Sequence, residues 1–236
     1  MPPELIRVAE LPSTMEAAHA LAQDGAPHGT AVVAEVQTLG RGTRGRAWSS
    51  GRGGLWLSVV ARPLRSDALE ALSLRVGLAV AAALELACPA LPRLGLKWPN
   101  DVQVDGRKLA GILCDARWGA GQCLWVVVGL GVNVRNPIPP ELQAKAIAIG
   151  TWDPVLDAAT LAAPVAAAVA LAAREAGPLS AAELRAYALR DVLEGARVSE
   201  PVTGTAAGIT STGALRVRTD TGPFREILGG VVAVPS

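Results

Sequence analysis

The run Leu124-Trp125-Val126-Val127-Val128-Gly129-Leu130-Gly131-Val132-Asn133-Val134 constrains the fold more than any other part of the chain. A strand that is apolar almost without interruption cannot turn one face to water. It therefore predicts a position in the middle of a sheet, covered on both faces. Gly129 and Gly131 inside it predict that another group approaches the backbone closely.

The surrounding sequence supplies partners for that strand. Val102-Gln103-Val104 and Arg107–Leu113 flank Asp105-Gly106, a two-residue hairpin signal, and Gly119-Ala120-Gly121 turns into the apolar strand. Upstream, Leu5–Val8, Thr30–Gln37 and Leu55–Val60 read as strands. Ser13-Thr14-Met15-Glu16 has the form of a capping box opening a helix through Leu21. Further helices are predicted from about Asp67 to Ala87 and near Ala158–Glu175 and Ser180–Leu193. From Gly195 the texture changes to short strands at Ala196–Pro201, Gly204–Ile209, Leu215–Thr219 and Arg225–Leu228. The turns are Ser211-Thr212-Gly213 and Asp220-Thr221-Gly222. This reads as a small barrel, too small to stand alone and so docked on the main domain. The expectation is an α+β fold, a mixed and largely antiparallel sheet with helices packed on it over residues 1–192, and a small barrel over 193–236.

Half of the 236 residues are hydrophobic, ample for one large core, and the net charge is +1. That balance argues against a broad nucleic-acid or membrane-surface footprint. The longest uncharged apolar run, Leu161 to Ala173, contains Pro164 and falls short of the ~20 residues a span requires. Met1-Pro2-Pro3-Glu4 has neither the basic flank nor the apolar core of a leader, so a soluble, cytoplasmic protein is expected. Cys88, Cys114 and Cys123 lack metal or redox spacing and sit in apolar runs. They read as buried hydrophobes in a reducing compartment. His19 and His28 have no partner ligands at metal spacing, so no tightly bound metal is expected.

Against this even balance one segment stands apart. No acidic residue lies between Glu35 and Asp67, while Arg41, Arg44, Arg46, Arg52, Arg62 and Arg65 do, a local charge of +6. Glycines 40, 42 and 45 let that backbone approach a ligand, and the combination suits an anion such as phosphate. Gly40-x-Gly42-x-x-Gly45 follows a strand, but the breakers after it leave no helix to open, so it is not a dinucleotide turn. Gly45 is followed by Arg46-Ala47, which rules out a Walker loop. Composition alone favours a flexible, solvated arginine-rich linker, and only the rest of the chain can overturn that reading. With 19 arginines to 3 lysines, Lys97, Lys108 and Lys145 stand where arginine was not substituted. In Lys97-Trp98-Pro99-Asn100-Asp101, Pro99 fixes a turn that holds Asn100 and Asp101 at a strand end.

Taken together, these pieces resemble the biotin protein ligase family. They are Ser13-Thr14, Gln37, Gly40-Arg41-Gly42, Gly45-Arg46-Ala47-Trp48, Lys97–Asp101, Arg107–Leu113, Gly129–Val134 and the terminal barrel. The resemblance implies a class II synthetase-like catalytic domain with an SH3-like C-terminal barrel. It also implies that ATP and biotin form biotinyl-5′-AMP, from which a lysine of a biotin carboxyl carrier domain takes the acyl group. Lys108 and Arg41 would then be catalytic, neutralising the carboxylate and α-phosphate as they meet. Biotin would be held by Ser13, Thr14, Met15, Gln37, Gly40, Arg41, Gly42, Thr43, Lys108, Gly111 and Gly129. ATP, with Mg²⁺ as counter-ion, would be held by Arg41, Arg44, Arg46, Trp48, Asn100, Lys108 and Asn133. Asp101 could orient a lysine or an arginine equally well.

Two departures from the family pattern stand out. Thr43 occupies a position that is usually basic and would help hold the adenylate, with Arg44 and Arg46 as neighbouring cations; Met15 stands where asparagine is common. The few residues before Leu5 leave no room for a winged helix, so DNA-binding repressor activity is not expected. Relatives pair through sheet edges near the arginine loop, so the resemblance leaves a homodimer open, while the sequence itself does not set the oligomeric state. Two rival readings are a lipoate or octanoate ligase or transferase of the same fold, and a nucleic-acid module using the arginine loop with Trp48 or Trp56.

Overall fold

A computed structural model describes residues 4–63, 65–220, 222–230 and 232–233. Met1-Pro2-Pro3, read above for a leader, and Thr221 of the second barrel turn lie outside the described residues. The main sheet has seven strands: β1 (Leu5–Leu11), β2 (Ala31–Gln37), β3 (Leu55–Ala61), β4 (Gly95–Lys97), β5 (Asp101–Val104), β6 (Arg107–Gly119) and β7 (Gln122–Val132). Their order is β1-β2-β3-β7-β6-β5-β4, so the apolar run is the central strand that its composition predicts. β1 and β2 are parallel, joined over α1 (Thr14–Gln23), and every other neighbouring pair is antiparallel. Asp105 and Gly106 both take positive φ, +50° and +73°, the conformation a two-residue hairpin needs to match strand twist.

The two faces of the sheet are covered unequally. One carries Val33, Leu55, Leu57, Val59, Val126, Val128, Leu130 and Val132 against α2 (Leu72–Ala87) and α3 (Ala158–Ala172). Each fully buried leucine here, such as Leu57, Leu72, Leu84 or Leu161, contributes about 1.5–3 kcal/mol of transfer free energy. Among the described helices only α1 covers the opposite face, its Met15, Ala18 and Ala22 packing on Val32, Val60 and Val127. Ten residues of helix span about 15 Å, so this face is left uncovered where β7, β6 and β5 adjoin.

Three local expectations change. Ser13 is the N-cap of α1, but its side chain makes no capping bond. The capping box forms at Ser180 instead, where Ser180 and Glu183 exchange bonds of 2.7 and 3.2 Å at the start of α4 (Ala181–Ala188). The helix expected from Asp67 begins at Leu72, after a 3-10 turn at Leu69–Ala71. Asp67 is drawn to Arg65 and the Ala68 N–H to the Ala176 carbonyl, so the chain is held off the helical path there. The strand expected at Ala196–Pro201 shrinks to β8 (Arg197–Val198), since Pro201 has no N–H to donate.

The C-terminal part is an antiparallel sheet of β8, β9 (Gly204–Ile209), β10 (Leu215–Thr219) and β11 (Phe224–Ile227), in the order β11-β10-β9-β8. Glu200 bridges to Ala233, returning the chain end to the side of β8. Val198, Ala206, Leu215, Val217 and Ile227 join the main core, so the small sheet is docked rather than free. No described helix is long and apolar enough to cross a membrane.

Asp191 lies in the connection from α4 to this sheet. Its Oδ1 accepts from the Leu193 N–H at 2.8 Å, while Oδ2 is buried with no partner among the described residues. Burial pushes the carboxyl up to about 6. The folded state therefore holds this proton more tightly than the unfolded chain, and the stability it brings is lost as pH rises through about 6. Asp191→Asn should be more stable than the parent at pH 8, by about 1–2 kcal/mol, with the difference closing towards pH 4. Thermal unfolding at the two pH values measures this; an equal or lower midpoint for the variant at pH 8 would contradict it.

Candidate functional site

A cavity of about 410 Å³ opens on the uncovered face. Its floor is main chain. Gly111 of β6 pairs with Gly131 of β7, and Gly129 pairs with Ser58 on one side and Leu113 on the other. A Cβ on Gly131 would lie 2.6 Å from the Trp48 indole, and one on Gly111 would lie 2.9 Å from the end of Lys108. A Cβ on Gly129 would run into the Met15 sulfur. The floor strands carry glycine because Trp48, Lys108 and Met15 lie directly on their backbone.

One end of the cavity is polar and uncharged. The Thr14 N–H and hydroxyl both donate to Gln37 Oε1, at 2.8 and 3.0 Å, and the hydroxyl also meets Ser58 Oγ at 2.8 Å. Gln37 Nε2 donates to Ser50 Oγ at 2.9 Å, which donates to the Trp48 carbonyl at 3.0 Å. A continuous chain of bonds thus joins the central strands and the start of α1 to the arginine loop. Ser13 is buried beside it, its hydroxyl unpartnered among the described residues. Such a group costs about 1–3 kcal/mol until something meets it.

The arginine loop is a small hairpin. Gly42 N–H donates to the Arg46 carbonyl at 2.8 Å and Trp48 N–H to the Gly40 carbonyl at 2.9 Å, around a turn in which Arg44 and Gly45 have positive φ. Trp48 is the anchor: its indole lies on Gly131 and Gly111 and beneath Lys108, whose Nζ is 4.8 Å from the ring centre. Lys108 Nζ also sits 2.5 Å from Asp101 Oδ1. Asn100 is fixed on β6, its amide donating to the Ile112 carbonyl at 2.6 Å and its carbonyl accepting from Ile112 N–H. Asn133 Oδ1 accepts from Asn136 at 3.1 Å. Arg41, Arg46, Lys108 and Lys145 line the cavity against the one lining carboxylate, Asp101, so the charged end favours anions.

Of the residues named from sequence, Thr14, Met15, Gln37, Arg41, Gly42, Thr43, Arg46, Trp48, Asn100, Lys108, Gly111, Gly129 and Asn133 line this one cavity. Ser13, Gly40 and Arg44 fall outside its lining: Ser13 is buried behind it, Gly40 serves the hairpin through its carbonyl, and Arg44 is exposed at the hairpin tip. Sequence reasoning missed Ser58, Ser50, Asn136 and the 139–146 side of the cavity. Ser58 carried a signal, being the one polar residue in Leu55–Ala61; Asn136 and Ser50 carried none.

The two histidines are spoken for elsewhere. His19 accepts from Trp125 at 3.0 Å and faces Asp115, and His28 bonds the Ala170 carbonyl at 2.8 Å. Burial lowers both below the ordinary imidazole range. Burial pushes the Cys114 thiol up to about 12, which leaves it inert.

The family described as biotin/lipoate A/B protein ligase matches residues 7–133, and the biotin protein ligase C-terminal domain matches 196–234. The chain belongs to the biotin/lipoate protein ligase family. It is 41% identical over 126 residues to the biotin–[acetyl-CoA-carboxylase] ligase of Paracoccus denitrificans, covering 52% of this chain and 50% of that protein. The corresponding ligase of Mycobacterium tuberculosis is 40% identical over 150 residues, covering 60% and 53%. The bifunctional ligase/repressor BirA of Bacillus subtilis is 38% identical over 138 residues, covering 56% and 42%. The chain thus spans about half the length, or less, of these relatives. Among solved structures, the biotin protein ligase of Aquifex aeolicus in complex with biotin and ATP superposes with a TM-score of 0.81 at 29% identity, covering 98% of each chain.

In this family member the glycine floor is what holds the hairpin down. Gly131→Ala places a methyl group against the Trp48 indole, an overpacking that costs about 1–3 kcal/mol unless the indole lifts. Tryptic cleavage after Arg44 and Arg46 should then quicken about tenfold while β7 remains folded. An unchanged cleavage rate would show that Trp48 does not anchor the hairpin.

Proposed function

We propose that this chain joins biotin to a lysine of a biotin carboxyl carrier domain through biotinyl-5′-AMP, with ATP as the second substrate. The observation that carries this reading is the position of Lys108. Its ammonium lies over the side-chain-free backbone at Gly111, in one cavity with the uncharged Thr14, Gln37 and Ser58 and with the cations Arg41 and Arg46.

The first step brings a carboxylate oxygen to the α-phosphorus of ATP, and the bond to pyrophosphate breaks. Two anions must meet, so fixed cations have to be in place beforehand. Lys108 and Arg41 supply them, with Arg46 beside them and Thr43 where a further cation would stand. In the second step the uncharged amine of a carrier lysine attacks the acyl carbon; an amide forms, AMP leaves, and the amine proton goes to solvent or a base. The Thr14, Gln37 and Ser58 groups suit a ureido ring, which needs donors and acceptors at fixed points. A dithiolane ring would offer these groups nothing and would leave the buried Ser13 hydroxyl beside them unmet, at the cost that discriminates such pairs of ligands. This favours biotin over lipoate or octanoate.

Among the described residues no group of three or more His, Cys, Asp or Glu could hold a metal ion. Asp101 and the amides of Asn133 and Asn136 offer isolated oxygens, a set that fits Mg²⁺ carried on the phosphates with its own waters. Bound there, the ion would neutralise phosphate charge. We place the boundary between the catalytic unit, 1–192, and the small barrel, 193–236, just after Asp191.

Pyrophosphate exchange into ATP that depends on added biotin tests the reading, and exchange supported by lipoate but not biotin would overturn it. Lys108→Ala should lower that exchange ~10²-fold or more, the scale of removing one transition-state donor; a near-normal rate would remove Lys108 from its role. Thr43→Arg should slow the release of labelled biotinyl-adenylate, and release as fast as in the parent would show that position to be idle.

A further inference from the structure

Trp98, in the Lys97–Asp101 turn, has no part in the reaction as described. Its side chain is 2% exposed, and its Nε1 donates at 2.8 Å to the main-chain carbonyl of Gly213, in the β9–β10 turn of the C-terminal sheet. Two and three residues further along, Asn100 and Asp101 enter the cavity.

The acceptor is held rigidly. Gly213 N–H donates to the Thr210 carbonyl at 3.0 Å, Thr210 N–H to the Ala214 carbonyl at 2.8 Å, and Leu179 N–H to the Ser211 carbonyl at 2.7 Å. Gly213 has φ +91°, and a Cβ there would lie 2.8 Å from the backbone of Ala71, at the start of α2. The turn is therefore wedged between α2, the segment before α4, and the Trp98 indole. On the other side, Ser73 Oγ donates to the Pro99 carbonyl at 2.9 Å, and Asn100 is fastened to Ile112. Only the Trp98–Gly213 bond ties the catalytic turn to the C-terminal sheet by hydrogen bonding among the described residues.

We propose that the C-terminal sheet acts on adenylation through this bond. Gly213 fixes the indole, the indole fixes the depth at which Asn100 and Asp101 enter the cavity, and Asp101 in turn fixes Lys108. Trp98 is thus a positioning residue, and a shift of about 1 Å at the reacting groups is enough to cost up to 10²-fold in rate. The inference rests on the ligase reading, because it needs Lys108 at the reacting centre.

Two variants approach the same contact from opposite sides. Trp98→Phe keeps the aromatic body and removes the donor; Gly213→Ala pushes the turn away from α2 and leaves the main sheet untouched. Each should lower kcat for biotin-dependent pyrophosphate exchange about tenfold. KM for biotin should stay within about twofold, since Thr14, Gln37 and Ser58 lie on α1, β2 and β3 and are held by one another rather than by this turn. The double variant should be no slower than the slower single, because one contact is lost only once. A purely structural role for Trp98 predicts parental kcat in both singles well below their unfolding temperatures, and that result would overturn the proposal. So would a kcat loss that multiplies in the double variant, or a rise in KM for biotin at unchanged kcat. Parental protein without biotin-dependent exchange would instead bring down the ligase reading, and this proposal with it.

Discussion

A sheet buried on both faces has no room for a ligand unless side chains are taken out of it. Here they are removed at Gly111, Gly129 and Gly131, three positions on the face that α1 is too short to cover. Everything else at the site depends on that gap. Trp48 can lie flat on the strands, Lys108 can fold back over it, and Met15 can reach the centre of the sheet, only because no Cβ stands in the way. The neighbours on the opposite face, Val126, Val128, Leu130 and Val132, are large and buried, so the same strand is core on one side and binding surface on the other.

That geometry sets the electrostatics. Lys108 is half-buried, and a lone ammonium in that position would be costly, so Asp101 at 2.5 Å holds it while Trp48 presents its ring face below. An incoming carboxylate or phosphate would meet a cation already held in place. Arg41 is the looser partner, more than half exposed and 3.8 Å from Glu16, free to follow the hairpin on which it rides. Fixed charge from the strand and movable charge from the hairpin suit a reaction whose anionic partners must enter separately and then be pressed together.

The central strand, its hairpin partners and the glycine-rich cationic loop were legible in the sequence because each follows from short-range rules. β7 is apolar from Leu124 onward, Asp105-Gly106 can scarcely be anything but a turn, and breakers after Gly45 exclude a helix. What could not be read depended on distant chain. Ser13 has the right neighbours for a capping box, yet its hydroxyl is buried beside a polar cluster that only the packing of α1 against β2 and β3 creates. Asp67 would start a helix but for Arg65 and the segment at Ala176, more than a hundred residues away in sequence. Ser58, Asn136 and the 139–146 side of the cavity likewise come to the site through topology. Arg44 shows the converse: charge density marked the loop correctly but could not say which arginines turn inward and which stay at the tip.

The polar end of the cavity and its cationic end are physically one unit. Ser58, Thr14, Gln37, Ser50 and the Trp48 carbonyl form an unbroken series of hydrogen bonds, and Trp48 is the residue that pins the hairpin bearing Arg41 and Arg46. A ring that satisfies Thr14, Gln37 and Ser58 reinforces this series, and with it the seat of Trp48. A ring without donors or acceptors adds nothing to the series and leaves the seat of Trp48 as the protein alone sets it. Ring recognition therefore bears on where the cations stand, although the two ends share no side chain. If the proposed reaction runs here, a ring that reinforces the series would gain in rate as well as in affinity, because it would also steady the hairpin that carries Arg41 and Arg46.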